Sequence, residues 1–309
     1  MKPRKVAFLF PGQGAEQPGM GLALAQRSEQ AACWLRRVSD LTGCDAWTLL
    51  QRGGPGLDRT DVLQPLLTAV SLISLHALTA AGVTADVVAG HSLGEVAALC
   101  AVDSIDALPA IDLAHLRGHW MAQAAQAHPG AMLALSLSGW RECLRVVHAG
   151  RRGGVVDVAA HNAPGQWVLC GERAALRAIA SRHPGASWLP VSGAWHGRFL
   201  RDVVPAFREA LHRAVLRPAR VPLVVGRSGR VGSDLTRSLS EQVARPVHFC
   251  SVLATLQCEG TTDVVTVGPG KILRGLLRAN LGTALRIHAS ENEDDVMRTR
   301  IALLEPLSG

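Results

Sequence analysis

Residues 86–98 read DVVAGHSLGEVAA, and no other stretch constrains the chain as much. A β-branched run leads into Gly90-His91-Ser92-Leu93-Gly94, and a helix-forming segment follows. This is G-x-S-x-G, in which a serine sits on a sharp strand-to-helix turn that lifts its hydroxyl clear of the backbone. Glycines two places before and after it are required because side chains there would collide across the turn. A helix opening at Ser92 aims free N–H groups and the positive end of its dipole at the place where an oxyanion would form. The pentapeptide alone could be an ordinary serine helix start. Its flanks, strand residues before and Glu95 with an alanine-rich run after, make Ser92 a nucleophile candidate.

An elbow of this kind implies an α/β fold, and 309 residues are enough for one large domain with an insert. Seven cysteines (Cys33, Cys44, Cys100, Cys143, Cys170, Cys250, Cys258) are scattered without C-x-x-C pairs. They read as reduced core residues of a cytoplasmic protein, with neither disulfides nor a metal site expected. The first residues, MKPRKVAFLFPGQG, are too short in their apolar part for a secretory signal and read as a first strand. No run approaches eighteen apolar residues, so no membrane span is expected. With 32 Lys plus Arg against 25 Asp plus Glu, the formal charge is +7, which suits an acidic partner or a phosphate-bearing ligand. The arginines are dispersed, aromatic residues are few and tyrosine is absent, so nucleic acid is not expected as a partner.

Along the chain, residues 6–10 form a short apolar strand running into Pro11-Gly12-Gln13-Gly14. That turn lacks both the Lys-Ser/Thr of a P-loop and the spacing of a dinucleotide fingerprint. Residues 61–81 read as a long amphipathic helix carrying Gln64 near its start, where a glutamine is more often a cap or surface residue. A second helix spans about 108–127 and leaves Arg117 at the edge of its buried face, usually the place of a snorkelling surface charge. From residue 129 the order becomes βαββαβ, the split ferredoxin-like pattern. Residues 129–191 are therefore expected to form a small inserted α+β subdomain, and residues 1–128 with 192–309 a large α/β-hydrolase-like domain with a parallel-sheet core. His196 follows at the junction, where a cleft is expected. Strands at about 221–225 and 263–267, helices near 234–243 and from Lys271, and a packed terminal helix complete the pattern.

Nine blocks in this order resemble one family along nearly the whole chain: FPGQGAEQPGMG at 10–21, LQPLLTAVSL at 63–72, GHSLGE at 90–95, LRGHWM at 116–121, GAML at 130–133, HNAPGQWVLCG at 161–171, PVSGAWH at 190–196, EQVARPV at 241–247 and VGPGKIL at 267–273. The family is that of the malonyl-CoA:acyl-carrier-protein transacylases and the related acyltransferases of polyketide synthases. The resemblance implies that Ser92 is the acylated nucleophile and His196 its general base and acid. The imidazole would be oriented by the backbone carbonyl of Gln242 instead of a carboxylate. The oxyanion donors would be the N–H groups of Gln13 and Leu93. Arg117 would pair with the free carboxylate of a malonyl group, Gln64 and Asn162 would line the acyl pocket, and Trp195 would take the specificity position before the histidine, where malonyl-type sites carry Phe.

It further implies malonyl-CoA and an acyl carrier protein as partners, no cofactor beyond the coenzyme A thioester used as substrate, and a monomer. The pathway is left open between fatty-acid synthesis, polyketide synthesis and a malonate decarboxylase system. An acyl hydrolase clearing carrier proteins is the alternative, and Arg117 speaks against it because a guanidinium buried without a carboxylate is costly. The chain departs from the family at Ala15-Glu16, where Ser-Gln is common, at Gly197, where a small polar residue is common, and at residues 225–230, VGRSGR, where many members carry Asn.

Overall fold

The structure is a computed structural model that describes residues 4–304; residues 1–3, including Lys2, and 305–309 lie outside the described residues. Its ten strands form two sheets. The first strand, β1 (Val6–Phe10), and β2 (Val87–Gly90) are buried at every position. Such unbroken apolar runs are what a strand covered on both faces requires. Next in the chain come β3 (Ala131–Ser136), β4 (Val156–Ala163), β5 (Gln166–Gly171) and β6 (Ser187–Trp188), followed by β7 (Leu223–Val225), β8 (Arg230–Val231), β9 (Asp263–Thr266) and β10 (Arg286–His288).

The larger sheet has the order β10-β9-β1-β2-β7-β8. Its first five strands are parallel and β8 is an antiparallel edge. Two short partners, β8 and β10, are not foreseen in the sequence because two or three residues display no periodicity, whereas the equally short β7 lies within the longer apolar run 221–225. Besides its backbone pairing, β10 is tied by side chains: Arg286 and His288 both bond the buried carboxylate of Asp263 on β9, at 2.7 and 2.9 Å. Burial works to raise that carboxyl, but hydrogen bonds from Arg286, His288 and Thr262 prevail and hold it at about 2.

The second sheet, β4-β5-β3-β6, is antiparallel throughout, and with helices at Trp140–Gly150 and Arg173–Ala180 it has the split βαββαβ topology. Its own apolar cluster includes Leu133, Leu135, Cys143, Val147, Leu169, Leu176 and Ile179. The opposite face, with Met132, Ala160 and Val168, belongs to the main core instead. The two sheets are stitched where β4 meets the segment at Val247: His161 N–H donates to the Val247 carbonyl and Val247 N–H to the Ala159 carbonyl, both at 2.9 Å. The pairing of β4 with β5 slips between Val158 and Ala160 and again between His161 and Ala163. Irregularities of this kind re-aim side chains, and Asn162 lies within the second one.

Two expectations need correction. The helix Thr60–Ala80 is not amphipathic: from Thr60 to Ser74 all but Asp61 are buried, because the helix runs through the middle of the large domain. By length and composition it is the one helix among the described residues that could cross a membrane, but most of it is buried inside the protein, as befits a core helix. The cysteines, all free, are only partly core residues: Cys143 and Cys170 are buried, Cys33 and Cys258 exposed, and the remaining three intermediate. The terminal helix, Glu293–Leu304, buries Val296, Thr299 and Leu303 and leaves Ile301 and Leu304 outward.

Candidate active site

The elbow has the geometry its sequence requires. A Cβ at Gly90 would run into the backbone nitrogen of Glu95, and one at Gly94 into the carbonyl oxygen of Phe10. Ser92 itself adopts φ 53°, and the helix Gly94–Ala101 starts directly behind it. His196 also sits in the left-handed region, at φ 63°. A non-glycine residue held there stores strain that the surrounding structure must enforce.

These two turns bring Ser92 Oγ within 2.7 Å of His196 Nε2. On the far side of the ring, Nδ1–H donates to the backbone carbonyl of Gln242 at 2.9 Å. That bond fixes the tautomer, leaving the Nε2 lone pair to accept the serine proton. Burial, assisted by the positive charge of Arg117, pushes the imidazole down to about 3, against the pull of the Gln242 carbonyl. His196 is therefore a neutral base throughout the physiological range. The backbone N–H groups of Gln13 and Leu93 make no hydrogen bond among the described residues.

Behind Ser92 lies a buried polar layer. Arg117 is 1% exposed and Gln64 fully buried, so neither is the surface residue that its helix position first implies. Their helices touch closely: a Cβ at Gly118 would stand 2.5 Å from the Thr60 carbonyl oxygen. One guanidinium nitrogen of Arg117 donates to Gln64 Oε1 at 2.7 Å, the other to Ser92 Oγ at 3.1 Å and, at 3.5 Å, to Gln242 Oε1. Gln64 Nε2 donates in turn to Thr60 Oγ1 at 2.9 Å and to Gln13 Oε1 at 3.3 Å. Arg117 forms no ion pair among the described residues, and burial pushes it down to about 10 while the charge of Glu95 pulls it back up.

Asn162 faces the elbow from β4. Its Oδ1 accepts from His91 Nε2 at 2.9 Å, and Asn280 Nδ2 donates to its backbone carbonyl at 2.8 Å. Together with Gln13, Ser92, Trp195 and His196 it lines a cleft of about 270 Å³ between the two sheets, whose remaining walls are largely apolar. Trp195 is 4% exposed, its indole lying against the backbone at Gly193. A wider groove of about 730 Å³ reaches His196 from the opposite side, past Arg151, Arg201 and Arg245, but Ser92 does not line it. The smaller cleft is therefore the one that joins nucleophile and base with Asn162 and Trp195, whereas Arg117 and Gln64 do not line it and lie behind Ser92. Among the described residues no three His, Cys, Asp or Glu side chains gather as a metal site.

Three residues escape the sequence reading. His91, inside the elbow, supports Asn162; Thr60 closes the glutamine chain; and Glu95, 0% exposed, accepts the Gly226 N–H on Oε1 at 2.5 Å. A charged residue directly after the second elbow glycine, amid an apolar helix, was the available signal for Glu95. The departures also gain physical reasons. A Cβ at Gly197 would stand 2.6 Å from Cys170 Sγ, and one at Gly226 would stand 2.8 Å from Glu95 Oε1. Glu16 Oε2 accepts the Gly14 N–H at 2.7 Å and so steadies the first glycine turn.

The family model described as the acyl transferase domain matches residues 7–267. A malonyl CoA-acyl carrier protein transacylase of Bacillus subtilis is 32% identical over 285 residues, covering 89% of this chain and 90% of that protein. The crystal structure of a malonyl-CoA:acyl carrier protein transacylase from Xanthomonas oryzae is 32% identical, with a TM-score of 0.89 over 98% of this chain and 99% of that one. A malonyl-transacylase solved in complex with its type II polyketide-synthase acyl-carrier protein is 27% identical, with a TM-score of 0.89 over 96% and 99% of the two chains.

Proposed function

From the premise that this chain belongs to the acyl transferase domain family, we propose that it moves a malonyl group from coenzyme A to the phosphopantetheine thiol of an acyl carrier protein, in fatty-acid or polyketide synthesis. The observation that carries the malonyl assignment is a buried guanidinium, without an ion pair, 3.1 Å from the nucleophile. Glu95 offers this guanidinium a nearby charge but no ion pair, and a carboxylate-bearing acyl group would supply the direct partner that a buried charge needs. A hydrolase of monocarboxylic acyl groups would gain nothing from it.

In the first half-reaction His196 Nε2 takes the Ser92 proton as Oγ attacks the thioester carbonyl. The developing oxyanion is stabilised by the Gln13 and Leu93 N–H groups. Collapse expels the coenzyme A sulfur, which receives the proton from His196, and leaves a malonyl ester on Ser92. The arginine fork holds the free carboxylate and thereby orients the ester carbonyl. In the second half-reaction the carrier thiol gives its proton to His196, attacks the ester, and Ser92 recovers its hydrogen. The apolar walls of the cleft disfavour water as a competing acceptor.

The test is intact mass after malonyl-CoA, with and without a holo carrier protein. A malonyl adduct on Ser92 that disappears when carrier is added is the expected result. An adduct lost to water at the same rate without carrier points to the hydrolase, and no adduct removes the proposal.

A further inference from the structure

Glu95 is an anomaly that the transfer chemistry leaves unused. It is fully buried, one carboxyl oxygen accepts a single N–H from Gly226, and the other, Oε2, has no hydrogen-bond partner. Close by, Gln242 Nε2 is also buried and makes no hydrogen bond of normal geometry among the described residues, although its amide lies near enough to favour the charged carboxylate. Gln242 meanwhile orients His196 through its carbonyl and meets Arg117 through Oε1. A buried polar atom left unsatisfied calls for a reason.

The surroundings of Glu95 are poor in charge. The helix Ala107–Ala127 contributes Arg117, whose positive charge acts on it. The turn after β7 contributes Gly226, whose neighbour Arg227 is bound to Glu241 at 2.5 Å. The helix Leu235–Gln242 contributes the uncharged Gln242, the helix Thr60–Ala80 the uncharged Gln64, and the loop at 196 an imidazole that stays neutral down to about 3. In the empty site Arg117 and an ionised Glu95 therefore sum to zero. Adding an acyl carboxylate would leave two negative charges on one positive in a region shielded from water, which is strongly unfavourable unless a proton enters.

We propose that Glu95 is a positioning residue that balances charge at the acyl end of the site: ionised opposite Arg117 when the site is empty, it takes one proton from solvent as the malonyl carboxylate reaches Arg117, and returns it when the malonyl group leaves. Its unpartnered Oε2 is the oxygen that carries the proton. The acyl carboxylate stays ionised because it receives the arginine fork directly. Burial, opposed by the Gly226 N–H, the Gln242 amide and Arg117, already pushes the carboxyl up to about 7, so the change lies within reach of ordinary pH. This inference rests on the malonyl assignment and deepens it.

The sign follows from linkage: if malonyl binding takes up a proton, its apparent efficiency falls as pH rises above the value for the empty site. The experiment measures kcat/KM for malonyl-CoA and acetyl-CoA loading from pH 6 to 9, in the wild-type protein and in Glu95→Gln. The malonyl-to-acetyl ratio of the wild type is expected to be flat below about pH 7 and to fall by up to about tenfold per pH unit above it. Glu95→Gln, permanently neutral, is expected to hold the ratio flat. A flat ratio in the wild type, or the same slope in both proteins, overturns the proposal. Should Glu95→Gln not fold, proton uptake by the wild type decides: loading in weak buffer should consume up to one more proton with malonyl-CoA than with acetyl-CoA at pH 8, and no more at pH 6. No difference at pH 8 overturns it. Malonyl loading with a pH-independent ratio removes this inference alone, whereas no malonyl loading at any pH removes the malonyl assignment with it.

Discussion

The two ends of the site around Ser92, the cleft side and the buried polar layer behind it, are built by opposite means. At the Ser92 end the backbone places the chemistry: Ser92 and His196 each stand on a left-handed turn, and the group that orients the imidazole is a main-chain carbonyl. At the Arg117 end side chains do so, through a chain of hydrogen bonds from Thr60 and Gln13 through Gln64 to Arg117, where the buried helix Thr60–Ala80 meets the inner face of Ala107–Ala127. Backbone placement is insensitive to which acyl group arrives. A buried polar layer is not, because its balance changes with every charge admitted. Changes at the first end should therefore slow every donor alike, and changes at the second should reorder the donors.

The largest effect is expected at Ser92. Ser92→Ala should lose acyl-enzyme formation with all donors, by roughly 10⁴-fold or more, as when a nucleophile is removed from a coupled dyad. Intact mass spectrometry checks this, and a malonyl adduct on the variant would remove the nucleophile assignment.

Arg117→Ala should break the symmetry between donors. Truncating one partner of a buried charge pair costs roughly 2 to 5 kcal/mol, so malonyl loading should fall by about 10²-fold or more while acetyl loading is spared. An equal fall in both would show that Arg117 serves the reacting end only, and the contrast between the two ends would be lost.

A smaller effect is expected at Trp195, which lines the cleft and belongs to the core between the sheets at once. An α-methyl on the donor would press on its indole, and overpacking costs roughly 1 to 3 kcal/mol, or about tenfold to a hundredfold in selectivity. Trp195→Ser should narrow the gap between malonyl-CoA and methylmalonyl-CoA transfer. Equal rates for both donors in the native protein would remove the steric account.

The smallest expected change is the absence of one. Burial and Arg117 hold His196 near 3, so its neutral, base-competent form is fully populated above pH 5 and is lost only as pH falls toward 3. Acetyl loading should vary by no more than about twofold between pH 5 and 8, since unperturbed histidine would titrate near 6.5. A rate profile with its acid limb at that ordinary value would place His196 in water.

The same contrast explains what was legible in the sequence. Ser92, the glycines around it and the strand before it lie within a dozen residues, and sterics within the turn, with the close approach of Phe10 to Gly94, dictate that arrangement. Gln64 and Arg117 could be named through the resemblance, but their own helices gave the wrong surroundings. Their burial arises only once two helices some fifty residues apart are pressed together at Gly118. Glu95 is written inside the elbow motif, yet its partner Gly226 is 131 positions away. The small sheet was readable because alternation and turns recur within it, whereas β8 and β10 are pairings too short to leave a pattern.

The left-handed conformation of Ser92 also bears on which nucleophile this fold can accept. Threonine carries the same hydroxyl, but its second γ substituent is poorly tolerated at φ 53°, where β-branched residues are genuine outliers. Cysteine adds no branch and meets no such barrier. The choice of serine over threonine is thus made by main-chain stereochemistry rather than by acidity or nucleophilic strength, and an evolutionary path that exchanges the attacking atom can lead from oxygen to sulfur more easily than from one alcohol to the other.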